Sequence, residues 1–128
     1  MQQPLDVVLL AAEWQPRALI RAQLIEEGFE VVATDNWSMM RRHLRPGLKP
    51  LLAIVDLKGL PDPSAVLKDL HVLMKPERVL VLTGIGTVES AEVERLGFRR
   101  VARPVVIKDL VAMVAQLISQ RNASQIRI

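Results

Sequence analysis

The 128 residues suffice for one domain with a single core, and half of them are apolar, yet only Trp14, Trp37, Phe29 and Phe98 are aromatic. A net charge of +3, with acids and bases interleaved, is a weak argument for a polyanion partner, and so few aromatic platforms suit a base-stacking module poorly. The absence of cysteine excludes disulfides, thiolate metal sites and a Cys nucleophile, and no apolar run approaches the ~20 residues of a membrane span.

Short apolar runs alternate with amphipathic stretches along the chain. The first strand is Asp6 to Ala11, followed by a helix entered at Pro16 and ended by Gly28, with Ala18, Ile20, Leu24 and Ile25 as its apolar face. Glu30 to Thr34 is the second strand. A basic helix from Trp37 to Arg45 follows, stopped by Pro46 and Gly47. Leu51 to Val55 is almost wholly apolar and therefore central.

Asp62 and Pro63 form an N-cap and first helical position for a helix reaching Met74. Val79 to Leu82 is the fourth strand, Thr87 to Leu96 the fourth helix, closed by Gly97, and Arg100 to Ala102 the fifth strand. The last helix carries an apolar stripe of Leu110, Val111, Val114, Leu117 and Ile118. Residues 1–120 form the domain, and 121–128 read as a C-terminal tail or linker stub. Five strand-helix units in this order predict an α/β fold: a parallel sheet, doubly wound by helices on both faces.

Sites in such sheets lie beyond the carboxyl ends of the strands. Those positions hold Ala11, Ala12 and Glu13 after the first strand, Asp56 after the third, Thr83 and Gly84 after the fourth, and Arg103 and Pro104 after the fifth. From Leu5 to Ser119 the set resembles the receiver domain of two-component response regulators. The resemblance implies the flavodoxin-like strand order 2-1-3-4-5. It casts Asp56 in AIVDLKGLP as the phosphoacceptor, with Thr83 in VLVLTG and Arg103 before Pro104 as phosphate contacts.

Several positions depart from the family pattern. Counting back from Arg17 sets Ala11 and Ala12 where receivers carry two adjacent acids that hold Mg2+, and an alanine side chain offers no oxygen ligand. Glu13 and Asp56 are the only acids left to bind the ion, so no cofactor is expected and the phosphoryl chemistry it supports is impaired or absent. Arg103 replaces a lysine and is a larger, permanently charged fork. Pro61 stands one place later than the family's proline, and Arg100 occupies its aromatic switch position. Together these features describe a pseudo-receiver in which an Asp56–Arg103 salt bridge replaces phosphate-dependent switching.

The reading is thus a cytoplasmic regulatory module rather than an enzyme, with no catalytic residues, acting through protein contacts. The resemblance implies a sensor kinase, output domain or target protein as partner, or a homodimer, through helix four, strand five and helix five. That surface includes Glu89, Glu92, Arg95, Arg99, Arg100, Val105 and Lys108. One alternative is a phosphorelay receiver that still uses Asp56. Another is a small-molecule or nucleotide sensor at the same sheet edge, although Gly84, Ile85 and Gly86 form only part of a dinucleotide fingerprint. Arg41, Arg42, His43, Arg45 and Lys49 read as a solvated basic face, not a nucleic-acid site. His43 and His71 are surface residues, Trp14 is placed to cover the site, and Trp37 staples the second helix.

Overall fold

Val-, Leu- and Ile-rich runs form the strands because branched side chains pack well on a pleated surface buried on both sides. In chain order the elements are β1 (Val7–Leu10), α1 (Trp14–Glu26), β2 (Val31–Thr34), α2 (Trp37–Arg41), β3 (Leu52–Asp56), α3 (Pro63–Leu73), β4 (Val79–Thr83), α4 (Val88–Arg95), β5 (Arg99–Ala102) and α5 (Ile107–Ile126). The computed structural model describes residues 5–126 except Ile85, with side chains as far as Gln120. All strand pairs are parallel and the sheet order is β2-β1-β3-β4-β5, the expected doubly wound arrangement. Chain order reverses between β1 and β3, which opens a crevice at their carboxyl ends.

Side chains alternate across the sheet with a period of two. Val8, Leu10, Ala53, Val55, Val79 and Val81 face α2, α3 and α4, which contribute Met40, Leu67, Leu70 and Val93 to one core. Val7, Leu9, Leu52, Ile54, Leu80 and Leu82 face α1 and α5, which bring Ile20, Leu24, Leu110, Val111, Val114 and Ile118 to the other. The predicted stripe of the last helix is thus the one it buries, with Leu117 partly covered.

Local caps set the helix starts beneath the site. Asp62 accepts the Ala65 amide at 3.1 Å ahead of Pro63, and the Thr87 hydroxyl accepts the Ser90 amide at 3.1 Å. The Trp37 indole N–H donates to Asp69 at 3.1 Å, so this residue ties α2 to α3.

Four local expectations are corrected. Helix α1 begins at Trp14 rather than Pro16, and Ile25 on it is exposed, because Ile20 and Leu24 alone point at the sheet. Helix α2 ends at Arg41, not Arg45. Tighter bonds from the His43 amide to Met40 O and the Leu44 amide to Arg41 O turn Leu44 into the core ahead of Gly47, at φ +83°. Asp56 closes β3 instead of following it. Finally, α5 continues through Ile126 into the segment read as a C-terminal tail or linker stub. The last two residues of that tail, and Ile85 of the partial dinucleotide fingerprint, lie outside the described residues. Among the described residues no helix is long and apolar enough to cross a membrane.

Candidate functional site at the carboxyl edge of the sheet

Asp56, at the end of central strand β3, is 4% exposed. Its Oδ1 accepts the Lys58 backbone N–H at 3.0 Å and pairs with the Arg103 guanidinium, whose Nη1 also donates to Leu82 O at 3.2 Å. Arg103 is brought to Asp56 by β5, where its own amide donates to Thr83 O at 2.8 Å before the cis bond to Pro104. The sheet therefore gathers Asp56, Thr83 and Arg103 at one edge.

Period-two geometry separates two of them. Asp56 shares the side of Leu52 and Ile54, facing α1 and α5; Thr83 shares the side of Val79 and Val81, facing α3 and α4. Two recesses result. One, bordered by Asp56 with Glu13 and Ile20, lies toward α1; the other, bordered by Thr83 with Gly84 and Thr87, lies toward α4. Arg103 and Lys58 border both. Thr83 is 1% exposed and its Oγ1 has no hydrogen-bond partner among the described residues, so the local backbone bond that a strand-end Thr ordinarily makes is missing.

Three other oxygens near the edge are engaged. Arg17 Nη1 donates to Ala11 O at 2.8 Å and Ala12 O at 3.2 Å, and Glu13 pairs with Lys58 Nζ at 3.3 Å. Register pairs Leu10 with Val55, so the next step sets the fully buried Ala11 beside Asp56. Mg2+ demands several oxygen ligands in near-octahedral order. A single buried carboxylate held by a guanidinium, an exposed Glu13 held by an ammonium, and carbonyls held by Arg17 do not fit that ion. Among the described residues no cluster of three or more His, Cys, Asp or Glu side chains suits a metal.

Burial pushes the Asp56 carboxyl above the ordinary Asp range, with Glu13 adding to the rise; the Lys58 amide and the Arg103 guanidinium pull the other way and do not overcome it. Folded Asp56 therefore binds a proton more readily than it does in the unfolded chain. Its ionised form costs stability above the folded pKa, and that cost disappears as pH falls toward the unfolded value. Asp56→Asn, which keeps an acceptor for Lys58 and Arg103, is expected to raise the melting temperature by a few degrees near pH 7. The gain should shrink as pH is lowered through the acid range, and a gain independent of pH would contradict this assignment of the charge.

Two sequence expectations change here. Trp14 is 72% exposed and does not line the Asp56 recess, because the first turn of α1 points it outward. Lys58 was not anticipated. Its only sequence signal is its position two residues after Asp56, and its ammonium reaches Glu13 only because the loops after β1 and β3 meet.

On the helix-four side, Arg100 donates to the buried Ser90 hydroxyl and lies 3.8 Å from Glu94. Glu92 accepts from the Ser64 hydroxyl at 3.0 Å and sits 3.9 Å from Arg95. Arg100 and Glu92 therefore pin β5 and α3 to α4, while Arg95, Arg99 and Lys108 are exposed and Glu89 and Val105 are partly buried.

No protein-family model and no curated protein matches the sequence. Comparison with solved structures is decisive about the fold. A receiver domain protein (CheY-like) from Methanospirillum hungatei superposes with a TM-score of 0.77 at 16% identity, over 95% of this chain and 99% of that one. The protein has the receiver fold. A receiver protein from Pseudomonas putida gives 0.74 at 22% identity, over 91% of this chain and 98% of its own. Full-length FixJ from B. japonicum gives 0.73 at 25% identity, over 93% of this chain and 60% of FixJ. Within this receiver fold, Asp56 and Thr83 end strands three and four, and Arg103 directly follows strand five.

Proposed function

We propose that the protein is a receiver-fold signalling module that works through protein contacts, with the Asp56–Arg103 pair standing in place of a Mg2+-dependent phosphorylation switch. The pair itself carries the reading: the guanidinium occupies the carboxylate from within the chain. An incoming phosphoryl group would have to displace that cation without a divalent ion to neutralise its charge. Receiver folds generally serve as non-enzymatic modules, and no catalytic role is assigned to Asp56. Incubation with acetyl phosphate and Mg2+ is expected to leave the mass of the chain unchanged. Gain of one phosphoryl group, lost in Asp56→Asn, would refute the proposal.

The unpartnered Thr83 hydroxyl favours a second reading, in which Asp56 is still phosphorylated and Thr83 meets the phosphoryl oxygen. Beryllofluoride with Mg2+ separates the two. Backbone amide shifts centred on Asp56, Thr83 and Arg103 support phosphorylation, and an unchanged spectrum supports the occupied pair.

The contact surface of the first reading is α4, β5 and α5, where Arg95, Arg99 and Lys108 are exposed and Val105 is partly buried. Sensor kinase, output domain, target protein and second copy are the candidate partners. Reversing charge at Arg95 and Arg99 together should weaken partner or self-association at least tenfold in a binding titration. Unchanged affinity would remove this surface from the proposal.

A further inference from the structure

The recess on the α1 side of Asp56 has more structure than an ion pair requires. It is an open recess of about 270 Å3, below the range of drug-sized pockets, so its scale is that of a small metabolite. Its walls are largely apolar: buried Ile20 and Leu82 line it together with Leu19, Val105 and Ile107. Its polar end carries two anions, Glu13 and Asp56, and two cations, Lys58 and Arg103.

That quartet is balanced but half used. Both contacts to Asp56 fall on Oδ1, which leaves Oδ2 without a partner among the described residues. Both Arg103 side-chain bonds come from Nη1, which leaves the Nη2 and Nε donors of the fork similarly unused. A free acceptor on a buried carboxylate beside free donors on a guanidinium is complementary to a molecule carrying both charges close together. The apolar walls require a hydrocarbon body on the same molecule. A lone anion would meet Asp56, and a lone cation would meet Arg103.

We propose that this recess binds a free α-amino acid with an aliphatic side chain, its ammonium on Asp56 Oδ2, its carboxylate on the open side of Arg103 and its side chain against Ile20, Leu82 and Val105. The proposal rests on the reading that Asp56 is not consumed by phosphorylation. It adds an input to that reading, since an occupant touching both α1 and the β5–α5 loop ties the site to the edge of the contact surface.

Titration with L-leucine, followed by backbone amide shifts and thermal unfolding, tests this. Saturable shifts at Ile20, Leu82, Val105 and Ile107 are expected. At ten times Kd the folded-to-unfolded ratio should rise about 11-fold. Glycine, 4-methylpentanoate and 3-methylbutylamine each lack one element of the ligand and should bind at least tenfold more weakly. Asp56→Asn and Leu19→Lys should each weaken leucine binding at least tenfold. Leu19 is about half exposed and outside the two cores, so the second variant does not depend on tolerance in the core. Val72→Lys, on exposed α3 surface away from the recess, should leave binding intact. Absence of saturable shifts up to about 50 mM, or equal response to leucine and 4-methylpentanoate, overturns the proposal. The titration is made on unmodified chain, so phosphorylation by acetyl phosphate would sink the silent-site reading while leaving this binding result to be judged by itself.

Discussion

Arg103→Ala is expected to destabilise the protein by about 2–4 kcal/mol near neutral pH, because it strands a buried carboxylate. Asp56 is nearly inaccessible while the Arg103 side chain is about a quarter exposed, so solvent offsets part of the loss and the figure lies at or below the usual range for a broken buried pair. The Lys58 amide would remain as a partner for Oδ1, but a neutral amide does not balance the charge. Chemical denaturation should show the loss shrinking at acid pH, where Asp56 takes up a proton. Combining Arg103→Ala with Asp56→Asn should restore most of the stability, since neither charge then remains. A double variant as unstable as Arg103→Ala alone would mean that Arg103 acts through packing instead of through its charge.

Ala11→Asp should cost about 3–5 kcal/mol in metal-free buffer. Ala11 is fully buried and register sets it beside Asp56, so the new carboxylate enters an apolar wall with a like charge as neighbour. Two adjacent carboxylates are also the beginning of a Mg2+ site. Millimolar Mg2+ should therefore recover part of the loss in the variant and leave the parent chain unchanged, as read by thermal unfolding with and without chelator. Equal Mg2+ dependence in both chains would contradict the view that Ala11 is what denies the ion its ligands.

The two results probe different halves of one arrangement. Arg103 supplies the positive charge at the carboxyl edge of β3, and the methyl of Ala11 keeps the neighbouring strand end neutral. Arg17 completes this arrangement by holding the carbonyls of Ala11 and Ala12. Guanidinium groups that belong to the chain thus hold both strand ends. If the aliphatic recess beside Asp56 takes an amino acid, the open side of the same Arg103 is where that input enters.

Much of this was legible in the linear chain. The alternation of apolar runs and amphipathic stretches is a local property, set by period two in strands and 3.6 in helices. Right-handed parallel crossovers then bring Asp56, Thr83 and Arg103 to one edge whatever their separation in sequence. That Ala11 and Ala12 offer no side-chain oxygen was equally visible, since an alanine lacks ligand oxygens in any fold. Other features were not visible. The early end of α2 follows from Leu44 turning into the core, a tertiary gain that outweighs the helical propensity of the basic run. The outward turn of Trp14 depends on where α1 starts, which its sequence marked only to within two residues.

Composition, element order and the residue types at the strand ends are therefore what the sequence by itself determined. The Asp56–Arg103 pair was anticipated from the family resemblance, but tertiary structure alone decided the other partners: Lys58 on Glu13, Arg17 on two carbonyls, and Arg100 on Ser90. It alone also decided that Asp56 and Thr83 border different recesses. The physical reason is that local periodicity specifies which residues reach an edge. Hydrogen bonds and ion pairs instead form over about 3 Å through space, between side chains whose meeting is set by how strands register and helices pack.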